Sequence, residues 1–315
     1  MDVSAKLKER FCKDCNIPIK LFVEPYFTDR IKLYEGLYDS VQKWNVFVHE
    51  LNKYHSEQDY FEEYNRVKDQ AIRDIKNTDA YQRFNHEDMN KYAIKHIGIP
   101  GKDIFHPSND GKLFISVDMK KANFSALRHY DESIFRGSQT WEQFIGSYTD
   151  NRHIINSKFI RQVILGNCNP KRHITYEKYL MDQVLACLVN EIGFSVEDIV
   201  FFSNDEIIID MEKYNDCIDR RTIIQNILKD EFTFPLKTEL FYLHKIYGTQ
   251  GYCKEIVENI VYRSIQFKCL DNYMLPFVIR SMIGEDITES DKVFMHEGML
   301  AKFIDVPQID IKFKK

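Results

Sequence analysis

The hydrophobic period of this chain changes near residue 110, and that change limits the folds open to it. Up to about residue 100, apolar residues recur with a helical period. Val41, Trp44, Val48 and Leu51 stand at i, i+3, i+7 and i+10 behind the candidate caps Asp39 and Ser40. Tyr60, Tyr64, Val67 and Ala71 repeat the pattern on a strongly charged background, and helix-bundle packing accounts for these aromatics without a cofactor. Gly98, Pro100 and Gly101, followed by His106-Pro-Ser-Asn-Asp-Gly111, form the densest turn cluster in the chain. Beyond it, Lys112-Leu-Phe-Ile-Ser-Val117 has the length and composition of a strand and ends on Asp118. The expected class is α+β, with a helical N-terminal region over 1–105, a sheet-bearing domain over 106–248 and a second helical region over 249–315.

Composition narrows the function classes. A chain that is 44% hydrophobic and 29% charged is neither disordered, collagen-like nor of low complexity. Its 12 Gly and 8 Pro are few for a loop-rich all-β sandwich of 315 residues. A net charge of -5 draws the whole chain to neither nucleic acid nor an anionic membrane, so any such surface must be local. No apolar run approaches the roughly 18 residues of a membrane span, and the N-terminus lacks the apolar core of a signal peptide. The expected location is a cytoplasm, a host's if the source is viral, with no membrane partner. Seven scattered cysteines read as reduced core residues rather than a disulfide framework. Cys12 and Cys15 form a lone CxxC, either a zinc half-site or incidental to the start of an amphipathic helix.

Two apolar strands present acids at their ends. Asp118 follows Leu-Phe-Ile-Ser-Val, and Asp205 with Glu206 lies between Val196-Glu-Asp-Ile-Val-Phe-Phe-Ser203 and Ile207-Ile-Ile-Asp210, two β-rich runs that read as a hairpin. An acid there must face solvent, a cation or a basic partner. Acids from distant parts of one sheet suit hard divalent ions and two-metal phosphoryl transfer, although an Asp-Glu pair is also ordinary turn chemistry. From Arg152 to His173 the local charge reverses: Arg152, Lys158, Arg161, Lys171 and Arg172 stand among no Asp or Glu. A helix from Asn156 to Gly166 would project Lys158, Arg161 and Gln162 from one face, as a triphosphate needs and as a solvated basic face also would. Ile174 to Glu191 reads as a helix with Tyr176, Tyr179, Leu180, Val184, Cys187 and Leu188 on one side and Thr175 as its cap.

These residues together resemble a family. Asp118-Met-Lys-Lys-Ala-Asn-Phe-Ser125 resembles motif A of reverse transcriptases and related right-hand palm polymerases. Leu165-Gly-Asn-Cys-Asn-Pro170 is similar to their motif B. Phe202-Ser-Asn-Asp-Glu206 resembles motif C in the Asp-Glu form of family A DNA polymerases, and Phe234-Pro-Leu-Lys-Thr-Glu-Leu-Phe-Tyr-Leu243 resembles the later Lys-Thr segment. The order is that of the family, and the likeness covers roughly residues 110 to 245. It implies a palm with a short fingers insertion over 106–248, a helical thumb over 249–315, and template-directed nucleotidyl transfer on a primer and template with nucleoside triphosphates. It further implies that Asp118 and Asp205 hold Mg²⁺ or Mn²⁺, assisted by Glu206, and that Lys237 gives a proton to the leaving pyrophosphate. Lys158 and Arg161, with Lys171 and Arg172 of the same basic segment, would contact phosphates, and Arg128, close after Asp118, would contact template or triphosphate. Asn123 and Phe124 occupy the positions beside the sugar, where Asn123 departs from the commoner residue and leaves sugar choice open. Two alternatives remain at this level: a palm-derived nucleic-acid-binding or assembly protein without turnover, and a non-templated terminal nucleotidyltransferase.

Overall fold

In the computed structural model, which describes residues 3–99, 104–259 and 262–313, the helical period upstream of residue 100 becomes a bundle. Pro100 and Gly101 of the turn cluster lie outside those residues. The bundle comprises α1 (Ala5–Cys15), α2 (Tyr26–Leu33), α3 (Glu35–Tyr38), α4 (Ser40–Leu51), α5 (Glu57–Asn77) and α6 (Asp79–His86). A reciprocal cap between Ser56 and Asp59 starts α5, which then buries Tyr60, Tyr64, Val67, Ala71 and Ile75. On α4 the most buried aromatic is Phe47, with Trp44 and Val48 only half-buried beside it. Asp39 makes no side-chain cap, because it sits at φ 49° where α3 turns directly into α4. The Glu35 carboxylate accepts from the Val41 N–H at 2.5 Å instead, while the Ser40 hydroxyl donates to the Ile31 carbonyl.

The change of period produces a sheet. In chain order come β1 (Leu113–Met119), α7 (Ala122–Tyr130), α8 (Trp141–Gly146), α9 (Arg152–Asn156), α10 (Lys158–Gly166) and α11 (Pro170–Asn190). There follow β2 (Ile199–Phe202), β3 (Glu206–Asp210), α12 (Cys217–Glu231) and β4 (Leu236–Tyr247), then β5 (Tyr252–Val257) and β6 (Arg263–Lys268). The order β2-β3-β1-β4-β5-β6 is antiparallel throughout, and its first four strands with their helices make the βαββαβ arrangement. Ile115, Val117 and Met119 of β1 turn toward the helices and share a core with Leu180, Val184 and Leu188 of α11 and Ile224 of α12. That core continues without a break into Leu7, Phe11, Phe47 and Tyr60, so the bundle and the sheet are packed as one body.

Two helix boundaries differ from the periodicity. The basic segment breaks at Ser157, whose hydroxyl caps α10 by accepting from the Ile160 N–H at 2.9 Å. The next helix, α11, starts at Pro170, whose fixed φ suits a first turn; Thr175 lies inside it, donating to the Lys171 carbonyl rather than capping.

The expected helical region over 249–315 is corrected more deeply. Its first part is β5 and β6, added to the sheet edge, followed by α13 (Leu275–Ile283) and a hairpin of β7 (Val293–His296) and β8 (Met299–Lys302). A last strand, β9 (Asp310–Ile311), returns to pair with β4. Residues 252–254 and 256–257 of β5 are all buried, on both faces, so no alternation marks it as a strand. The expected boundary at 248 falls inside the β4–β5 hairpin. Gly248 there has φ +85°, and a Cβ on it would stand 2.0 Å from the Gln308 carbonyl oxygen, which is why glycine ends β4.

Buried polar groups tie these parts together. Asp14 on α1 accepts from Tyr64 Oη (2.8 Å) and Ser157 Oγ (2.7 Å) and meets His153 Nε2 at 3.0 Å, anchoring the start of α10. Arg30 on α2 donates to Asp291 Oδ1 at 2.9 Å and to the Ser290 carbonyl, joining the C-terminal segment to the bundle. Among the described residues, no helix is long and apolar enough to cross a membrane.

Candidate catalytic site

Alternation along β1 sends Phe114, Ser116 and Asp118 to the face away from the helices. The lower half of that face is closed by Ile104, Phe114, Ile208, Phe241 and Ile256. Its upper end is polar. Asp118 is directly opposite Glu206 of β3 on one side and Lys237 of β4 on the other. Asp205 stands one residue before β3, and its carbonyl accepts from the Met119 N–H at 2.8 Å, which fixes the hairpin turn beside the end of β1. Within the turn, Ser203 Oγ donates to Asp205 Oδ1 (3.0 Å) and accepts from the Glu206 N–H (3.0 Å). The residue in register with Asp118 is thus Glu206, with Asp205 in the turn above it.

A third acid comes from α11. Glu177 is fully buried, and its two oxygens accept from Asn123 Nδ2 (2.5 Å) and Asn204 Nδ2 (2.6 Å). One carboxylate therefore joins the helix after Asp118 to the turn that carries Asp205. On the sheet, Lys254 of β5 is 5% exposed and donates to Glu239 Oε2 at 2.7 Å, with Ser116 Oγ at 3.4 Å; Lys237 pairs with the other Glu239 oxygen.

Crowded acids raise one another's affinity for protons. Burial, then the charges of Glu206, Asp205 and Glu239, push Asp118 up to about 7, and Lys254 offsets only part of this. Burial likewise raises Glu206 against the pull of Lys254 and Lys268. Glu177 is pushed up to about 7 by burial, despite its two amide donors. Burial works the same way on Glu239, but Lys254 and Lys237 outweigh it and hold this carboxyl below its usual range. The result is a patch of hard oxygen donors whose negative charge nearby lysines leave largely uncompensated, and such a set suits a divalent cation. Among the described residues, no three His, Cys, Asp or Glu side chains are already drawn together as a metal cage.

The structure brings together Asp118, Asp205, Glu206, Lys237 and Asn123. Lys158 is pushed below the usual lysine range by desolvation and by Arg161 and Lys268, and Asp118 acts on it in the opposite sense, so these groups lie within electrostatic reach. Arg161 is half-buried one turn further along α10, where the acid acting on it is Glu142 rather than a carboxylate of the site. Four expected residues are elsewhere. Phe124 is 4% exposed and packs on Phe135 and Trp141, because the helical turn after Asp118 points it into the core. Arg128 donates to the Ser138 carbonyl and to Gln139. Arg172 is bound to the Phe84 and Glu87 carbonyls, tying α11 to the bundle, and Lys171 is exposed in the first turn of that helix. The Cys12 and Cys15 thiols are pushed up by burial, Cys15 to about 12; Cys12 is a core residue of α1 and Cys15 is half-buried beside it. Sequence reasoning missed Glu177, Glu239, Lys254 and Lys268. An acid next to Tyr176 on the apolar face of α11 was the one available signal. Comparison of the chain with known protein families, curated proteins and solved structures found no match.

Proposed function

We propose that the chain catalyses template-directed nucleotidyl transfer, with Asp118, Asp205 and Glu206 holding two Mg²⁺ or Mn²⁺ ions. The observation that carries this reading is the register of Asp118 against Glu206, with the Asp205 carbonyl bonded to the next residue of β1. Acids distant in sequence meet at the open end of one sheet face, in the order of the palm motifs. The βαββαβ topology supports the same reading at the level of the fold. Bound divalent ions would supply activation of the attacking hydroxyl and charge neutralisation at the leaving phosphate.

The chain's own residues have separable tasks. The three carboxylates provide the oxygen donors, and Ser203 orients Asp205 by its hydrogen bond. Lys158 and Arg161 attract the triphosphate. Lys237, half-exposed and opposite Asp118, exchanges its Glu239 contact for the departing pyrophosphate, to which its ammonium gives a proton. Asn123, held by Glu177, presents a small polar group beside the sugar.

The test is primer extension with Mn²⁺, with and without template, using deoxy- and ribonucleotides. Asp118→Asn and Asp205→Asn should each lower the rate at least about a thousandfold, roughly 4 kcal/mol of transition-state stabilisation. Absence of incorporation under every combination refutes the catalytic reading. Incorporation that ignores the template replaces it with terminal transfer.

A further inference from the structure

A cavity of about 730 Å³ opens between α1, the 16–22 segment, α10 and the edge strand β6. Its lining reverses the sign of the chain. Lys13, Lys20, Lys158 and Lys268 face one acid, Glu9, in a protein of net charge -5. Glu9 is already paired with Lys13 at 2.6 Å, and the other three lysines have no ion-pair partner among the described residues. Ammonium groups gathered around one cleft repel each other, and a polyanion relieves that repulsion.

The rest of the lining selects among polyanions. Half-buried aromatic rings interleave with the lysines: Phe159, with the Arg10 guanidinium over one face, follows Lys158, and Phe22, packed on Phe27, comes two residues after Lys20. Inorganic phosphate chains would use the lysines and leave the rings idle. A single strand of nucleic acid uses both, with phosphates on lysines and bases stacked on rings. The volume is that of a small-ligand cleft, enough to seat part of a single strand. The charge of Lys268 acts on Glu206 and that of Lys158 on Asp118, so these two lysines lie within electrostatic reach of the carboxylates.

We propose that this groove binds single-stranded nucleic acid. That the strand is a template rests on the nucleotidyl-transfer reading, whereas the binding itself does not. The experiment uses the full chain in EDTA and follows fluorescence anisotropy of a labelled single strand of about 12 nucleotides. Salt is varied between about 50 and 200 mM. The Lys20→Ala/Lys268→Ala pair should weaken binding about tenfold at low salt and flatten the log–log salt slope by about 0.7 for each lost phosphate contact. Arginine at both positions should restore affinity and slope. Both lysines reach solvent, so an unchanged melting temperature establishes that the variants are folded. Unaltered affinity and slope in the alanine pair overturn the proposal, as does a duplex that binds as tightly as the strand, or inorganic triphosphate that displaces the strand at equal concentration. Lysine-dependent binding in a protein inert in primer extension supports the groove and removes the polymerase reading. Primer extension with lysine-independent strand binding overturns the groove and leaves that reading standing.

Discussion

Replacing Asp118 by asparagine should stabilise the metal-free protein while abolishing its activity. The carboxyl of Asp118 is pushed from an ordinary value of 3.8 to about 7, first by burial and then by Glu206, Asp205 and Glu239. The folded state therefore binds more protons than the unfolded state between those values, and raising the pH through that window costs stability. At 1.36 kcal/mol per unit the ceiling is about 4 kcal/mol above pH 7; screening at this partly open site brings the expectation to about 2 kcal/mol. The asparagine side chain would keep the shape and carry no charge. With an unfolding entropy of roughly 2.1 cal/mol/K per residue, 2 kcal/mol corresponds to a rise in melting temperature of about 3 °C in this 315-residue chain. Differential scanning calorimetry at pH 8 and pH 5 with EDTA measures this, and the gain should shrink at pH 5, where the wild-type carboxyl is largely protonated. Mn²⁺ reverses the ranking: at a concentration a hundred times its Kd it would add about 2.7 kcal/mol to the wild type and far less to the variant. A loss of stability at pH 8, or an equal gain at both pH values, would refute the crowding of charge on which the site rests.

Two further outcomes follow from buried groups. Glu177→Ala leaves the Asn123 and Asn204 amides without an acceptor and should cost about 2–4 kcal/mol in urea denaturation; Glu177→Gln, which retains one acceptor oxygen, should cost less and still raise the Mn²⁺ concentration needed for half-maximal rate. The His173 imidazole is 1% exposed, and burial lowers it to about 4, opposed only by the Cys168 backbone. Its neutral form therefore stabilises the fold fully above pH 6.5, and up to about 3 kcal/mol of that is lost as the pH falls toward 4. A His173→Leu variant whose urea midpoint falls as steeply as that of the wild type over this window would show that other groups govern the acid limb.

Much of the architecture was legible because it is local. Tyr60, Tyr64, Val67 and Ala71 define the buried face of α5 by spacing alone, and the turn cluster before Leu113 announces β1, with Asp118 near its end. Asp205 and Glu206 are visible as the tip of a hairpin for the same reason, since two β-rich runs flank them. What failed was also physical. The β5 run is buried on both faces and loses the alternation that marks a strand, and Arg172 spends its charge on two carbonyls of the bundle that no local pattern ties to it.

The sequence by itself determined the helical and extended periods, the acids at the strand ends and the reversal of charge between residues 152 and 173. Tertiary structure alone decided which of those groups meet. Antiparallel register set Glu206 rather than Asp205 directly across from Asp118 and made Lys237 its other neighbour. It brought Glu177 to amides 54 and 27 residues away, and Lys254 to Glu239 across the β4–β5 hairpin. Backbone periodicity follows from a residue and its near neighbours, whereas the company a side chain keeps depends on how distant segments pack to bury a common core and satisfy the polar groups left at its edge.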